Sequence, residues 1–189
     1  MKKVAIMLAD GFEEIEALAV VDILRRAEIS CDLIGIDKQE ICGAHKIIVK
    51  ADKIINEEIR QYDMIVLPGG MPGATNLADN NLLIETLKEF NKDENKNIAA
   101  TCASPAIVLS RAGIEKDRYI TADPGESFEN MLEKANYIEE LVVVDENLIT
   151  SRGPATAMLF AYKLVDILGE DSNHLKEEML WDMLEEEKE

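Results

Sequence analysis

The chain has 189 residues, 47% of them hydrophobic, and carries a formal net charge of −18. That length and apolar content suit one domain, residues 1–189, with a buried core, and they exclude a disordered chain; the negative charge argues against nucleic acid and against an anionic membrane surface, which would both repel it. The three cysteines show no CxxC spacing, which fits reduced thiols better than a disulfide framework or a zinc site.

Lys3–Leu8 reads as a short buried parallel strand. The run stops at the turn signal Asp10–Gly11, too early for a signal peptide, and no apolar run is long enough to span a bilayer. A cytoplasmic protein is therefore expected. From Glu13 to Arg26, Ile15, Leu18, Ala19 and Ile23 fall at helical spacing, with acids leading and Arg25–Arg26 closing, as the helix dipole favours. Cys31–Ile36 is a second strand, Ile41–Val49 a strand or hairpin segment, and Asn56–Arg60 a short helix. Asp63–Leu67 is a third buried strand ending at Pro68–Gly69–Gly70, with Met71–Pro72–Gly73 continuing the loop. Leu82–Phe90 is an amphipathic helix, Ile98–Thr101 the next strand and Ala106–Ala112 the helix after it.

Arg118–Thr121 reads as a short strand before the loop Ala122–Asp123–Pro124–Gly125. Leu141–Val144 and Leu148–Ser151 flank Asp145–Asn147 as a hairpin or strand pair. Arg152–Gly153–Pro154 precedes a helix to about Leu168, and Ser172 is placed to cap a last helix carrying Leu175, Met179, Leu180 and Met183. Strands alternating with helices predict an α/β fold, a mostly parallel sheet with helices on both faces.

Cys102 stands where an apolar run breaks off into Ala103–Ser104–Pro105 and a helical pattern. Pro105 suits the first turn of a helix. The spacing therefore predicts a cysteine on a tight strand-to-helix turn, its thiol pKa lowered by a helix N-terminus. A small inert core cysteine is the other reading. In a parallel sheet ligands bind at the carboxyl ends of the strands. There the first strand delivers Asp10–Gly11 and Glu13, Glu14 and Glu16, the third Gly69–Gly70, and the fourth Cys102. Gly69–Gly70 is either an oxyanion-type cradle of backbone N–H groups or an ordinary tight turn. Glu16 is either a partner of Cys102 or a solvated acid in the first turn of a helix.

Leu8–Glu16, Val66–Gly70, Ala99–Pro105 and Thr150–Pro154, taken in order, resemble the ThiJ/PfpI family. Within it they are most similar to the subgroup of the human parkinsonism-associated protein deglycase. The resemblance implies a flavodoxin-like three-layer sandwich and a homodimer. It puts the reactive cysteine on Cys102, its acidic partner on Glu16, and site-lining backbone groups on Gly69, Gly70 and Ala103. Arg152, Gly153 and Pro154 fall on a loop near the site, and Arg26 and His45 near positions that contribute polar groups around the dimeric site. Asp123 stands where relatives often carry a histidine, which puts a Cys–His dyad in doubt.

Two functions follow for such a site. One is glyoxalase or deglycase chemistry on an α-oxoaldehyde such as methylglyoxal, or its adducts, with Cys102 as nucleophile and Glu16 as acid and base. The other is an oxidative-stress sensor whose Cys102 oxidises to sulfinic acid. A cysteine peptidase ranks below both. It needs a histidine, and of the two present His45 lies on a hairpin segment and His174 in a polar stretch before a helix. No metal-ligand spacing and no phosphate-binding glycine motif is present, so neither metal nor cofactor is expected.

Overall fold

The computed structural model describes residues 2–186. Strands β1 (Lys3–Leu8), β2 (Ser30–Gly35), β3 (Glu40–Cys42), β4 (Ile48–Lys50), β5 (Lys53–Ile54), β6 (Met64–Leu67), β7 (Asn97–Thr101), β8 (Tyr119–Ile120), β9 (Asn136–Tyr137), β10 (Val142–Asp145) and β11 (Leu148–Ser151) alternate with helices. The helices are α1 (Glu14–Arg26), α2 (Gly73–Ala78), α3 (Asn81–Phe90), α4 (Ser110–Ala112), α5 (Glu126–Met131), α6 (Ala157–Ile167), α7 (Asn173–Glu178) and α8 (Trp181–Glu186). Seven strands form the central sheet in the order β10-β11-β7-β6-β1-β2-β5. All its pairings are parallel except β10 with β11.

Both faces of the sheet are covered, which is why its inner strands read as unbroken apolar runs. Side chains alternate along each strand. Ala5, Met7, Ile65, Leu67, Ile98 and Ala100 face a core shared with Leu77 of α2 and Leu83 and Leu87 of α3. Val4, Ile6, Leu8, Met64, Val66 and Ala99 face the opposite core, shared with Val20 and Leu24 of α1 and Phe160 and Leu164 of α6. The three layers are those of a flavodoxin-like sandwich.

Several local expectations change. The loop reading over Met71–Pro72–Gly73 stops short: Gly73 opens a helix that runs to Ala78; its small and polar residues give little amphipathic signal, and only Ala74, Leu77 and Ala78 reach the core. The helix after Cys102 opens with a π-helical turn, Pro105–Leu109, before α4. The Arg118–Thr121 strand leaves the main sheet and pairs, as β8, with β9. The Ser172 side chain caps nothing; its N–H is held by Asp166 Oδ1 at 3.1 Å, and the helical stretch beyond it breaks at Leu180, φ 60°.

Candidate functional site

In the sheet order β7, β6 and β1 are neighbours, so the loops that follow them converge at the carboxyl edge. They are knitted together by backbone bonds. Glu13 N–H donates to Gly69 O at 2.9 Å, and the hairpin of β3 and β4 closes the side, with Gly11 N–H on Cys42 O at 2.8 Å and Ala44 N–H on Phe12 O at 2.8 Å.

Cys102 follows β7 directly, in the left-handed region, φ 59°. A non-glycine residue there is strained by about 1–3 kcal/mol, and its backbone is held from both sides: N–H to Ser151 O at 3.0 Å, C=O from Asp123 N–H at 2.9 Å. This is the geometry of a nucleophile elbow, turning the side chain out of the strand row.

Glu16, in the first turn of α1, is fully buried. Its Oε2 accepts the Gly69 N–H at 2.7 Å, while Oε1 is buried and has no hydrogen-bond partner among the described residues. Gly69 sits between the two side chains. A methyl group on it would stand 2.5 Å from Cys102 Cβ, 2.8 Å from Glu16 Oε2 and 3.0 Å from Cys102 Sγ. Only a residue without a side chain lets acid and sulfur approach this closely. Gly70 has φ 88°, and a methyl group there would collide with the backbone of Glu13 and Gly11; its N–H is directed to the sulfur and favours the thiolate.

Burial raises the Glu16 carboxyl to about 7, against the Gly69 hydrogen bond and the neighbouring Cys102, which pull it down, and with help from the charges of Glu13 and Asp123. Burial also pushes the Cys102 thiol up, and the Glu16 and Asp123 charges push it further. This corrects the expectation of a thiol lowered by a helix N-terminus. The following helix begins only at Pro105, beyond Ser104, and the N–H that favours the thiolate comes from Gly70. Both groups resist ionisation mainly because they are buried, the thiol further because Glu16 and Asp123 are charged beside it, so above about pH 7 the pair keeps its remaining proton on the sulfur.

The other expected positions divide. Asp123 Oδ2 lies 3.8 Å from Cys102 Sγ, so the residue expected in the histidine's place does reach the sulfur. Ala103 is 2% exposed and part of the core behind the site. Arg152, Gly153 and Pro154 follow Ser151, whose C=O anchors Cys102. Arg152 Nη2 reaches Tyr137 Oη at 3.5 Å, and Gly153 and Thr156 bond reciprocally at the start of the Pro154 turn. These three shape the adjacent loop. His45 does not reach the sulfur: its exposed ring binds Glu14 Oε2 through Nδ1 at 2.9 Å and faces Glu13 Oε2 at 3.5 Å. Arg26 does not reach the sulfur either. Ten residues along α1 put it about 15 Å from Glu16, and it is paired instead with Asp22 at 2.8 Å.

Glu14 was read only as part of an acidic cluster, yet its carboxylate clamps the hairpin. Oε1 accepts the N–H groups of His45 at 2.8 Å and Ile47 at 3.4 Å. Burial opposes its charge, but these donors and the His45 ring outweigh burial and hold the carboxyl below its usual range. Glu13, Glu14 and His45 bring three potential metal-ligand atoms within 4.8 Å of one another. Sequence spacing missed that grouping because His45 comes from a separate hairpin; Glu14 is already fully engaged by protein donors. The Glu13 charge on Glu16 was also missed, since neither spacing nor composition reports which side of a helix turn faces a buried neighbour.

The description "DJ-1/PfpI family" fits the chain over residues 2–167. The chain belongs to the DJ-1/PfpI family. A glutathione-independent glyoxalase DJ-1 of Schizosaccharomyces pombe is 36% identical over 181 residues, covering 88% of this chain and 91% of that protein. A Parkinson disease protein 7 homolog of Danio rerio is 34% identical over 171 residues, 88% of this chain and 89% of that protein. Protein DJ-1 homolog B of Arabidopsis thaliana is 39% identical over 166 residues, 87% of this chain; the chain spans only 37% of the length of that relative and 42% of homolog A. Among solved structures, oxidized Toxoplasma gondii DJ-1 matches with a TM-score of 0.88 and 34% identity, covering 95% of this chain and 98% of the other. The DJ-1/PfpI sandwich thus extends over nearly all the described residues, and no helix among them is long and apolar enough to cross a membrane.

Proposed function

We propose that the protein is a cysteine-dependent glyoxalase or deglycase acting on α-oxoaldehydes such as methylglyoxal, or on their adducts, with Cys102 as nucleophile and Glu16 as acid and base. The observation that carries this reading is the buried Glu16 carboxyl, raised to about 7, with one oxygen unpartnered beside the sulfur.

The Glu16 carboxylate takes the proton of the Cys102 thiol as the sulfur forms a C–S bond to the aldehyde carbon, and passes that proton to the carbonyl oxygen, leaving a hemithioacetal. Glu16, again a carboxylate, removes the proton on that carbon to form an enediol and returns it to the adjacent carbon. The product is the thioester of a 2-hydroxy acid; water cleaves it, releases the acid and restores the thiol. Of the two glycine N–H groups, that of Gly69 holds the Glu16 carboxyl and that of Gly70 favours charge on the sulfur. The name of the Schizosaccharomyces pombe relative supports the same assignment. Methylglyoxal consumed in large excess over protein, and abolished in Cys102→Ser, supports the enzyme; consumption limited to one equivalent contradicts it.

The second reading is oxidative. Two equivalents of peroxide convert the thiol to a sulfinic acid with release of water, and Glu16 Oε1 is free to donate to a new oxygen. That a similar structure is of an oxidized DJ-1 favours it. A peptidase lacks support, because no histidine is among the groups that bond or shift Cys102. We also propose a homodimer: Ile15, Ile47 and Ile48 are exposed around the Glu14–His45 contact, an apolar patch suited to a second copy.

A further inference from the structure

A groove of about 690 Å³ runs between α2, the turn after Cys102 and α5. Met71, Ala106, Ile107, Phe128 and Met131 give it a mainly apolar lining, with Arg111 at its rim. Its volume is that of a small-molecule site, and Met71 and Met131 are each 51% exposed. Its walls come from the segments that hold the sulfur. Met71 follows Gly70, whose N–H favours the thiolate. Ala106 and Ile107 lie in the turn that Cys102 begins; Ile107 N–H donates to Ala103 O at 3.0 Å. The Phe128 ring and the Asp123 carboxylate both lie beside Gly125, 3.3 Å and 3.2 Å from where its side chain would start, and Asp123 is in turn 3.8 Å from Sγ.

We propose that this groove is the subsite for the substituent of the carbonyl substrate, so that the preferred substrates are uncharged α-oxoaldehydes bearing an apolar alkyl or aryl group longer than methyl. The proposal rests on the reading of Cys102 as the carbonyl-attacking nucleophile. A methyl substituent at the sulfur leaves the groove unfilled, whereas a flexible chain laid along Met71 and Ile107 toward Phe128 removes apolar surface from water on both sides. Glu16 and Asp123 beside the sulfur disfavour an anionic end on the same substrate.

The test uses two ladders of increasing chain length, N-alkylmaleimides and alkylglyoxals, with the full chain. Alkylation of Cys102 is followed by intact mass and turnover by loss of aldehyde. Each rate is divided by that of the methyl member, so that changes in the thiol itself cancel, and by the same ratio for free glutathione. The wild type is expected to gain about threefold per added methylene while the chain lies in the groove. Met71→Ser with Met131→Ser is expected to flatten that dependence by at least half, and Met131→Leu to keep it. A flat ladder in the wild type, or the same slope in the serine variant, overturns the proposal. So does a change of oligomer mass in the serine variant with the slope intact, which would make the groove an interface between copies. A maleimide ladder without aldehyde turnover leaves the groove standing and removes the glyoxalase reading. Methylglyoxal turnover without a ladder does the reverse.

Discussion

Cys31 and Cys102 are both cysteines that burial holds away from ionisation, yet only one is built to react. Cys31 sits in β2 within the core under α1, and burial pushes its thiol up to about 12. Its neighbours Arg25, Asp32 and Asp52 act only at a distance, and no acid shares its proton. Cys102 is less enclosed, stands in a strained turn, and meets Glu16, Asp123 and the Gly70 N–H. Burial alone makes a thiol inert; burial beside an acid that is itself hard to ionise makes a pair from which one proton can be moved.

The largest expected effect separates the two sulfurs directly. Cys102→Ser should lower methylglyoxal turnover about a thousandfold or more, whereas Cys31→Ser should stay within about twofold and lose only stability, as read by urea denaturation. Under graded peroxide, mass spectrometry should place the added oxygens on Cys102 and not on Cys31.

Glu16→Gln tests the acid half of the contrast. Its folded pKa is raised to about 7 from 4.5, so the folded state binds more protons than the unfolded one between those values. The contribution of Glu16 to stability is full below about pH 4.5 and falls as pH rises through about 7. The Gln variant keeps a neutral side chain. Relative to wild type it should therefore gain up to about 3 kcal/mol between about pH 5 and about pH 8. A constant difference in denaturation midpoints across that range would contradict this, and turnover should fall about a hundredfold or more.

Gly69→Ala asks whether the close approach matters. A methyl group 2.5 Å from Cys102 Cβ must push the sulfur from the acid, at a cost of about 1–3 kcal/mol in stability, with a loss of turnover larger than the loss of folded protein. Asp123→Asn should have the smallest effect, raising the rate of Cys102 alkylation severalfold near neutral pH, since it removes a charge that opposes the thiolate. An unchanged rate would mean that Asp123 does not act on the sulfur.

Much of this contrast was legible in the chain. The apolar runs at Lys3–Leu8, Met64–Leu67 and Asn97–Thr101 announce strands buried on both faces, and the break at Cys102 announces the elbow. What could not be read depends on distances across the fold. Burial of the Glu16 carboxyl and the push from Glu13 arise from how α1 lies on the β6 loop, and the thiol's upward shift comes first from its own burial and then from Glu16 and Asp123, not from the helix that comes next in the sequence. Arg26 shows the converse: it stands beside Arg25 in a suggestive run, but the straight course of α1 carries it away from the site. The helix Gly73–Ala78 was hidden because its short buried side adds only Ala74, Leu77 and Ala78 to the core.

The most direct measurement is a joint titration of the pair. The ultraviolet absorbance of the thiolate is followed together with the infrared band of the protonated Glu16 carboxyl, assigned by its loss in Glu16→Gln. An acid raised to about 7 beside a thiol pushed above its usual range predicts that the carboxyl band vanishes around pH 7 while the thiolate absorbance appears only at higher pH. A thiolate that forms while the carboxyl band persists would contradict it.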